Sequence, residues 1–456
     1  MEIFERIILF LGSLVWGPQT IILLLGVGFY LSLRLRFIQI RRLRLSTRFL
    51  LSRKGYGESK KDRKGDISPY QALSTSLAAV VGNGNIAGVC TAIAMGGPGA
   101  VFWMWLSALF GMATRMVEAV LGQKFKILTA DGMVAGGPMY YIRNGLKLPW
   151  LAGIFAFFMG CKPLFSTTTI QSNSIALALQ TQLGLQPWIS GLGLAVLTWL
   201  VIIGGIKTIG KVTEFLSPFM VLLYIGGAFI TLILFAPRLP QAFSLIFVGA
   251  FNPSAITGGV AGMTIARAMR YGLARGAYSN EAGTGTAAVF HASAKTSEPV
   301  RQGFIASLDV FIDTMVICTL TALCVLTTGA WTEGTSTGMT AAAFNAGVPL
   351  AGGLIVAATS LLFGYSSLIA VPYYGEIAFT YLFGVAIKRP FRWIFCGVIF
   401  IGAVLKVEVA WSIGDVFNGM MAFTNLIGLV GLSGLAISAV KSYLKTINKN
   451  PSSFPG

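Results

Sequence analysis

Read for where charge is absent, the chain falls into long apolar runs separated by short polar gaps. A helix needs roughly 20 apolar residues to cross a bilayer core. Residues 7–33 form one uncharged run, and residues 67–114 form another that holds two spans, divided near Gly96-Gly97-Pro98-Gly99. Further spans are predicted at 151–181, 187–206, 213–236, 252–272, 302–330, 350–382, 391–411 and 414–440, giving eleven. The first run is too long for a signal-peptide core and lacks a small-residue cleavage site, so it counts as a span. The expected fold class is an all-α polytopic membrane protein.

Composition agrees. Only 11% of residues are charged and 55% are hydrophobic, whereas a soluble domain carries roughly 25% charged residues. Such a chain cannot build a hydrated surface, and it is too apolar to be disordered. The net charge of +18 raises the question of nucleic acid. Position answers it: twelve basic residues fall between Arg34 and Lys64, and most others sit in gaps between spans. With eleven spans, 29 of the 34 Lys and Arg fall on one side of the membrane. That side is predicted to be cytoplasmic, giving an N-out, C-in protein of the bacterial inner-membrane type and no nucleic-acid face.

Two spans look unfit as continuous helices. The second carries Gly82-Asn83-Gly84-Asn85-Ile86-Ala87-Gly88 and the seventh carries Thr257-Gly258-Gly259-Val260-Ala261-Gly262. Gly disfavours helix by about 1 kcal/mol per position, and Asn tolerates left-handed backbone. Unwound backbone at membrane depth needs a cavity or a protein partner. The two segments lie five spans apart, so two blocks of five spans enter the membrane from opposite sides. Paired interruptions in inverted halves point to a transporter site near the midplane. The expected organisation is an N-terminal helix and basic loop (1–66), a first half (67–245), a second half (246–443) and a cytoplasmic tail (444–456).

Other classes lack their signatures. Five cysteines lie in apolar runs without a CxxC, and a single histidine cannot form a His-rich metal site or a Ser-His-Asp triad. No Walker motif, filter loop or convergent catalytic set is present, which disfavours an ATP-driven pump, a channel or a membrane enzyme. No cofactor is expected.

Longer motifs carry a resemblance. Gly97-Pro98-Gly99-Ala100-Val101-Phe102-Trp103-Met104-Trp105, Gly111-Met112-Ala113-Thr114-Arg115 with Glu118, and Gly136-Gly137-Pro138-Met139-Tyr140-Tyr141 are similar to the alanine or glycine:cation symporter family. So are the Gly82–Gly88 stretch, Ser279-Asn280-Glu281-Ala282-Gly283, Phe311-Ile312-Asp313-Thr314 and Tyr373-Tyr374-Gly375-Glu376. The likeness covers most of residues 68 to 385. It implies a LeuT-like five-plus-five inverted repeat with an extra N-terminal helix, and import of a small neutral amino acid coupled to sodium or protons. It also places Ser366, Ser367 and Val81 at a sodium site. This chain departs from the family pattern at three places: Ser366-Ser367 replace a usual Thr-Thr, Val371 replaces a Trp, and Asn83 replaces a Thr.

The residue chemistry fits an amino-acid zwitterion. Backbone N–H groups at the Gly82–Asn85 break suit a carboxylate, and freed carbonyls at both breaks suit an ammonium group or a hard cation. Asn83, Asn85 and the mid-span Gln171 add polar contacts, and Gly258, Gly259 and Gly262 are expected to line the site from the second half. Val371 is smaller than Trp, so the pocket is expected to admit neutral amino acids larger than Ala. Asp309 and Asp313 share a helix face, and Asp313 is the carboxylate through which proton coupling would run. Arg115 and Glu118 are read as a structural pair. Residues 131–144 are expected to form a re-entrant or interfacial piece at the cytoplasmic face, and 275–300, with Glu281 and His291, a cytoplasmic gate or connector.

Overall fold

The computed structural model describes residues 15, 17–52, 64–252, 264–332, 336–349, 351–405 and 408–449. An N-terminal helix, α1 (Pro18–Arg34), and a short amphipathic α2 (Leu43–Leu51) precede the body. The next helix, α3 (Pro69–Val80), begins at a capping box. Ser68 Oγ accepts from the Gln71 N–H at 3.1 Å, and Gln71 Oε1 accepts from the Ser68 N–H at 3.0 Å. Pro69 at the first helical position has no N–H to leave unsatisfied. The helix stops at Val81, whose backbone is extended (φ −73°, ψ 102°). A π-turn over Gly84–Gly88 then leads into α4 (Val89–Gly96), bent 57° from α3.

Gly97 turns the chain with φ +78°, and α5 (Ala100–Lys124) runs back. A hairpin of β1 (Ile127–Leu128) and β2 (Val134–Ala135) follows, then α6 (Pro138–Gly145). Met139, Tyr140, Tyr141 and Ile142 are buried, so α6 packs into the protein, which of the two expected forms fits the re-entrant one. Its Tyr141 hydroxyl donates to Asn425, which anchors it there. Next come α7 (Pro149–Lys162), a π-turn at Pro163–Thr167, α8 (Thr168–Leu183), α9 (Pro187–Ile202) and α10 (Gly205–Leu234).

The second part opens with α11 (Leu239–Phe251) and α12 (Ile265–Asn280). The chain breaks over 281–285 before α13 (Thr286–Ala292). A rod of α14 (Pro299–Val310), a π-turn at Phe311–Cys318 and α15 (Thr319–Thr328) follows, then α16 (Ser336–Gly347), α17 (Gly352–Phe383), α18 (Lys388–Val404) and α19 (Glu408–Lys449).

Among the described residues, six helices are long and apolar enough to cross a membrane, and the bent pair α3–α4 makes a seventh. Leu197, Phe215, Leu222 and Ile394 are exposed on α9, α10 and α18. An apolar belt of this kind faces lipid, because water would not tolerate it as a surface patch. Inside, α5 packs along α12, α13 and α14, while α3 lies between α10, α14 and α17.

One placement changes the charge reading. A Cβ on Gly96 would sit 3.2 Å from Tyr271 Cβ, and one on Gly84 would sit 4.0 Å from the Tyr278 ring, so α12 runs antiparallel beside α4. Arg267, Arg270 and Arg275 therefore lie on the far side of the break from the basic 34–64 segment. The basic count on the near side falls from 29 to 26 of 34, which leaves the bias intact.

Candidate functional site

The first break sits where the sequence places it, but its polar groups divide into two kinds. Asn85 is fully buried, and its Oδ1 accepts from the Gly82 N–H at 2.9 Å. Its Nδ2 donates to Asp313 Oδ1 at 2.6 Å and to Ser279 Oγ at 3.0 Å. Asn85 thus holds the break in shape, and the Gly82 N–H, expected to be open, is occupied. The Asn83 N–H and the Val81 carbonyl have no hydrogen-bond partner among the described residues.

Three other expected residues converge on this break. Asn83 Nδ2 donates to Gln171 Oε1 at 3.1 Å. A Cβ on Gly82 would meet Gln171 Nε2 at 3.2 Å and Ser367 Oγ at 3.4 Å, so any larger residue there would press the side chains that α8 and α17 bring to the break. Beside them opens a cavity of about 750 Å³, with Asn83, Gly84, Thr91, Arg275, Tyr278 and Ser360 in its wall. Val371 is buried one turn beyond Ser367 and is not part of that wall. Gly258, Gly259 and Gly262 lie outside the described residues.

A corner rich in oxygen adjoins the break. Ser366 Oγ and Ser367 Oγ donate to the Ala78 carbonyl at 3.2 and 3.3 Å, across from α17 to α3. The same hydroxyls reach the Phe363 carbonyl at 2.9 and 3.1 Å. Both serines are buried. Two hydroxyls and two carbonyls facing one another, with the Val81 carbonyl less than a turn away, form the donor set that a hard cation takes. Backbone oxygens have no side-chain signature, so Ala78 and Phe363 could not be found from sequence.

The second break among the described residues falls at 281–285, in the stretch Glu281-Ala282-Gly283-Thr284-Gly285. Gly283 and Gly285 have φ of +93° and +83°, which glycine adopts freely. Charged groups from other helices close it. Glu118 Oε1 accepts from the Gly283 N–H (3.0 Å), the Gly285 N–H (3.1 Å) and Asn425 Nδ2 (2.7 Å). Arg115, 3.6 Å from Glu118, donates to the Asn280 carbonyl. Lys162 pairs with Glu281 at 2.5 Å, and its Nζ lies 5.6 Å from the centre of the Tyr374 ring. So Arg115 and Glu118 do pair, as expected, and they also clamp a broken helix. Lys162 was visible in the sequence only as a charge inside an apolar run.

Two further ionisable pairs lie elsewhere in the protein. Asp309 Oδ2 accepts from Ser76 Oγ at 2.5 Å and lies 2.9 Å from His291 Nε2. His291 is fully buried on α13 rather than in a loop. Glu376 is held by Arg392 through two hydrogen bonds, at 2.6 and 2.8 Å. Among the described residues, no cluster of three or more His, Cys, Asp or Glu could hold a metal ion.

Solved structures share this architecture. MhsT in complex with L-phenylalanine aligns with a TM-score of 0.57 at 14% identity, over 83% of this chain and 98% of that one. A mutant of the Eremococcus coleocola manganese transporter aligns at 0.51 and 14%, over 83% and 82%. These likenesses show a multi-pass helical protein of LeuT-like fold; the family and the relatives that share it make the chain a transporter and not an enzyme. The chain belongs to the sodium:alanine symporter family, whose model matches residues 1–454. It is 43% identical over 448 residues to the sodium/alanine symporter AgcS of Methanococcus maripaludis, covering 96% of this chain and 97% of that protein. It is 37% identical over 465 residues to the probable sodium/glutamine symporter GlnT of Bacillus subtilis, covering 99% and 93%.

Proposed function

We propose that this chain imports a small neutral amino acid together with sodium across a bacterial-type plasma membrane. The observation that carries this reading is the sharing of one break by two sites. Ser366 and Ser367 face the Ala78 carbonyl just before the break, and Gly82, within the break, lies between Ser367 and Gln171, whose side chains a Cβ there would meet at 3.4 and 3.2 Å. An ion held by Ala78, Val81, Phe363, Ser366 and Ser367 then fixes the backbone that receives the substrate. The substrate carboxylate is received by the Asn83 N–H and the Asn83 and Gln171 amides, and Gly84 leaves room beside them. Binding of one cargo orders the site for the other, which is coupling in its thermodynamic form.

The proposed topology has eleven spans, N-out and C-in, with halves at 67–245 and 246–443 in a five-plus-five inverted repeat. The near side, with its basic excess, is cytoplasmic. Relatives named for alanine and for glutamine support a neutral substrate whose size varies within the family. Val371 stands outside the cavity wall, so a range extending beyond alanine rests on the relative named for glutamine.

One observation favours a second reading. Asp313 is buried, and among the described residues its carboxylate accepts hydrogen bonds from neutral donors, Asn85, Ser279 at 2.8 Å and Thr314 at 2.7 Å. Neutralising it with a proton would make the coupling ion H⁺. The purified protein in liposomes decides between the two. Uptake of Ala, Gly, Ser and larger neutral amino acids should follow an inward sodium gradient. Uptake driven by a pH gradient and indifferent to sodium would replace sodium by the proton.

A further inference from the structure

The chain leaves α1 through a sharp elbow. Arg36 and Phe37 have φ of +57° and +51°, a left-handed backbone that side chains adopt only at a cost. Hydrogen bonds hold it in that shape. The Phe37 N–H donates to the Ser32 carbonyl at 2.7 Å, and Gln39 Nε2 donates to Ser32 Oγ at 2.8 Å and to the Leu109 carbonyl at 3.2 Å. Helix α2 follows with two unlike faces. Leu45, Ser46 and Phe49 are buried. The Phe49 ring lies 5.7 Å from Phe304, near the start of α14, and 6.3 Å from Tyr443, near the end of α19. Arg301 of α14 donates to the Phe49 and Ser52 carbonyls at 3.5 Å, which fastens the end of α2. Helix α2 therefore sits at the rim where these membrane helices begin and end.

The other face of α2 carries Arg44, Arg48 and Leu51, spaced i, i+4, i+7 on one side of the helix. Leu51 is 80% exposed. On the elbow Arg36, Arg41 and Arg42 are exposed, and Ile40 among them is 56% exposed. No acidic residue occurs between 34 and 52. Among the described residues, none of these arginines pairs with a carboxylate. Phe29 and Leu33 are exposed on α1, so its lipid-facing side runs up to the point where the arginines begin.

A loop that only sets orientation needs positive charge, from either basic residue and in any conformation. Here every basic residue from 34 to 52 is Arg, whose planar fork takes two oxygens of a phosphate at once. The backbone that carries them is strained and tied down. Ile40 and Leu51 would be unfavourable in water, but the boundary between headgroups and acyl chains accepts such side chains beside basic ones. We propose that the elbow and α2 form a docking surface for the headgroups of anionic phospholipids. Arg36, Arg41, Arg42 and Arg44 hold the phosphate oxygens, and Ile40 and Leu51 enter the acyl boundary. Through Phe49 and Arg301 the bound lipid braces the start of α14. The proposal needs the membrane setting of the helices and not the identity of substrate or coupling ion, so its failure leaves the transport reading standing.

The test uses the full chain with Leu51→Cys carrying a bimane fluorophore, in phosphatidylcholine vesicles. The five native cysteines are buried, so wild type treated alike sets the background. Phosphatidylglycerol or phosphatidylcholine, each bearing the same nitroxide high on an acyl chain, is titrated in. The fraction that halves the fluorescence should be about fivefold lower for phosphatidylglycerol, and 1 M salt should erase most of that gap. Adding Arg41→Gln, Arg42→Gln and Arg44→Gln should remove the preference. Equal quenching by the two lipids, or a preference that survives in the glutamine variant, overturns the proposal. Absence of quenching by either lipid puts α2 in water and overturns it as well. Inorganic phosphate that relieves quenching more than chloride at equal ionic strength would assign the arginines to a soluble anion instead. If the glutamine variant does not fold, the lipid comparison and its salt dependence decide alone.

Discussion

The two breaks differ in who satisfies their backbone. At 281–285 the freed N–H and C=O groups are met by Glu118, Arg115 and Asn425 from distant helices, and Lys162 neutralises Glu281. At 81–84 the Gly82 N–H is capped by the neutral Asn85, while the Asn83 N–H and Val81 carbonyl have no partner among the described residues and lie beside a cavity and an oxygen-rich corner. An interrupted helix can therefore serve as a fixed joint or as a binding surface. The second break is closed by protein charge, and the first leaves the groups that the proposed cargo would satisfy. A change at the closed break should act on stability, and a change at the open one on binding.

The largest effect is expected at the clamp. Glu118→Ala removes the acceptor of two backbone N–H groups and leaves Arg115 buried without its carboxylate, a loss of about 3–5 kcal/mol. Thermal melting in detergent should show a large drop or no folded protein. Gly82→Ala should instead leave melting near wild type and remove uptake, since its Cβ would press on Gln171 Nε2 at 3.2 Å. If Glu118→Ala melts normally, the second break is not closed in the way described. Lys162→Ala strips Glu281 of its charged partner, leaving the Thr286 hydroxyl at 2.8 Å. Glu281 is partly exposed, so the expected loss is smaller, about 2 kcal/mol, again read from melting.

Gln171→Ala should cost about 1–1.5 kcal/mol of substrate binding, close to tenfold in affinity, with melting unchanged. A fall in melting temperature without loss of affinity would move Gln171 from the open break to the scaffold. The smallest effect is expected at Val371. It is buried outside the cavity wall, so Val371→Trp should leave the ranking of uptake rates among Ala, Gly and larger neutral amino acids unchanged. A shift of that ranking toward Ala and Gly would show that Val371 bears on the pocket after all.

The open break was legible in the sequence because its cause is local: glycine and asparagine disfavour helix wherever they stand. Asn83 and Gln171 followed from polarity within apolar runs. The closed break was not legible. Glu281-Ala282-Gly283-Thr284-Gly285 resembles an ordinary polar loop, and its partner Glu118 lies 165 residues from Gly283. Only the fold brings them together. His291 was misplaced for the same reason, because its helix is a buried half-helix of seven residues. Ser366 and Ser367 were marked by family resemblance, but the carbonyls that complete their corner belong to Ala78 and Phe363, where the side chain says nothing of the backbone's role.

Sodium dependence of alanine uptake by Ser366→Ala/Ser367→Ala, compared with wild type in the same liposomes, bears most directly on the shared break. Wild-type uptake should rise steeply with an inward sodium gradient. The double variant should melt near wild type and show no sodium stimulation, because two of the cation's oxygens are gone. Sodium stimulation that survives undiminished in the double variant would contradict an ion site at this corner.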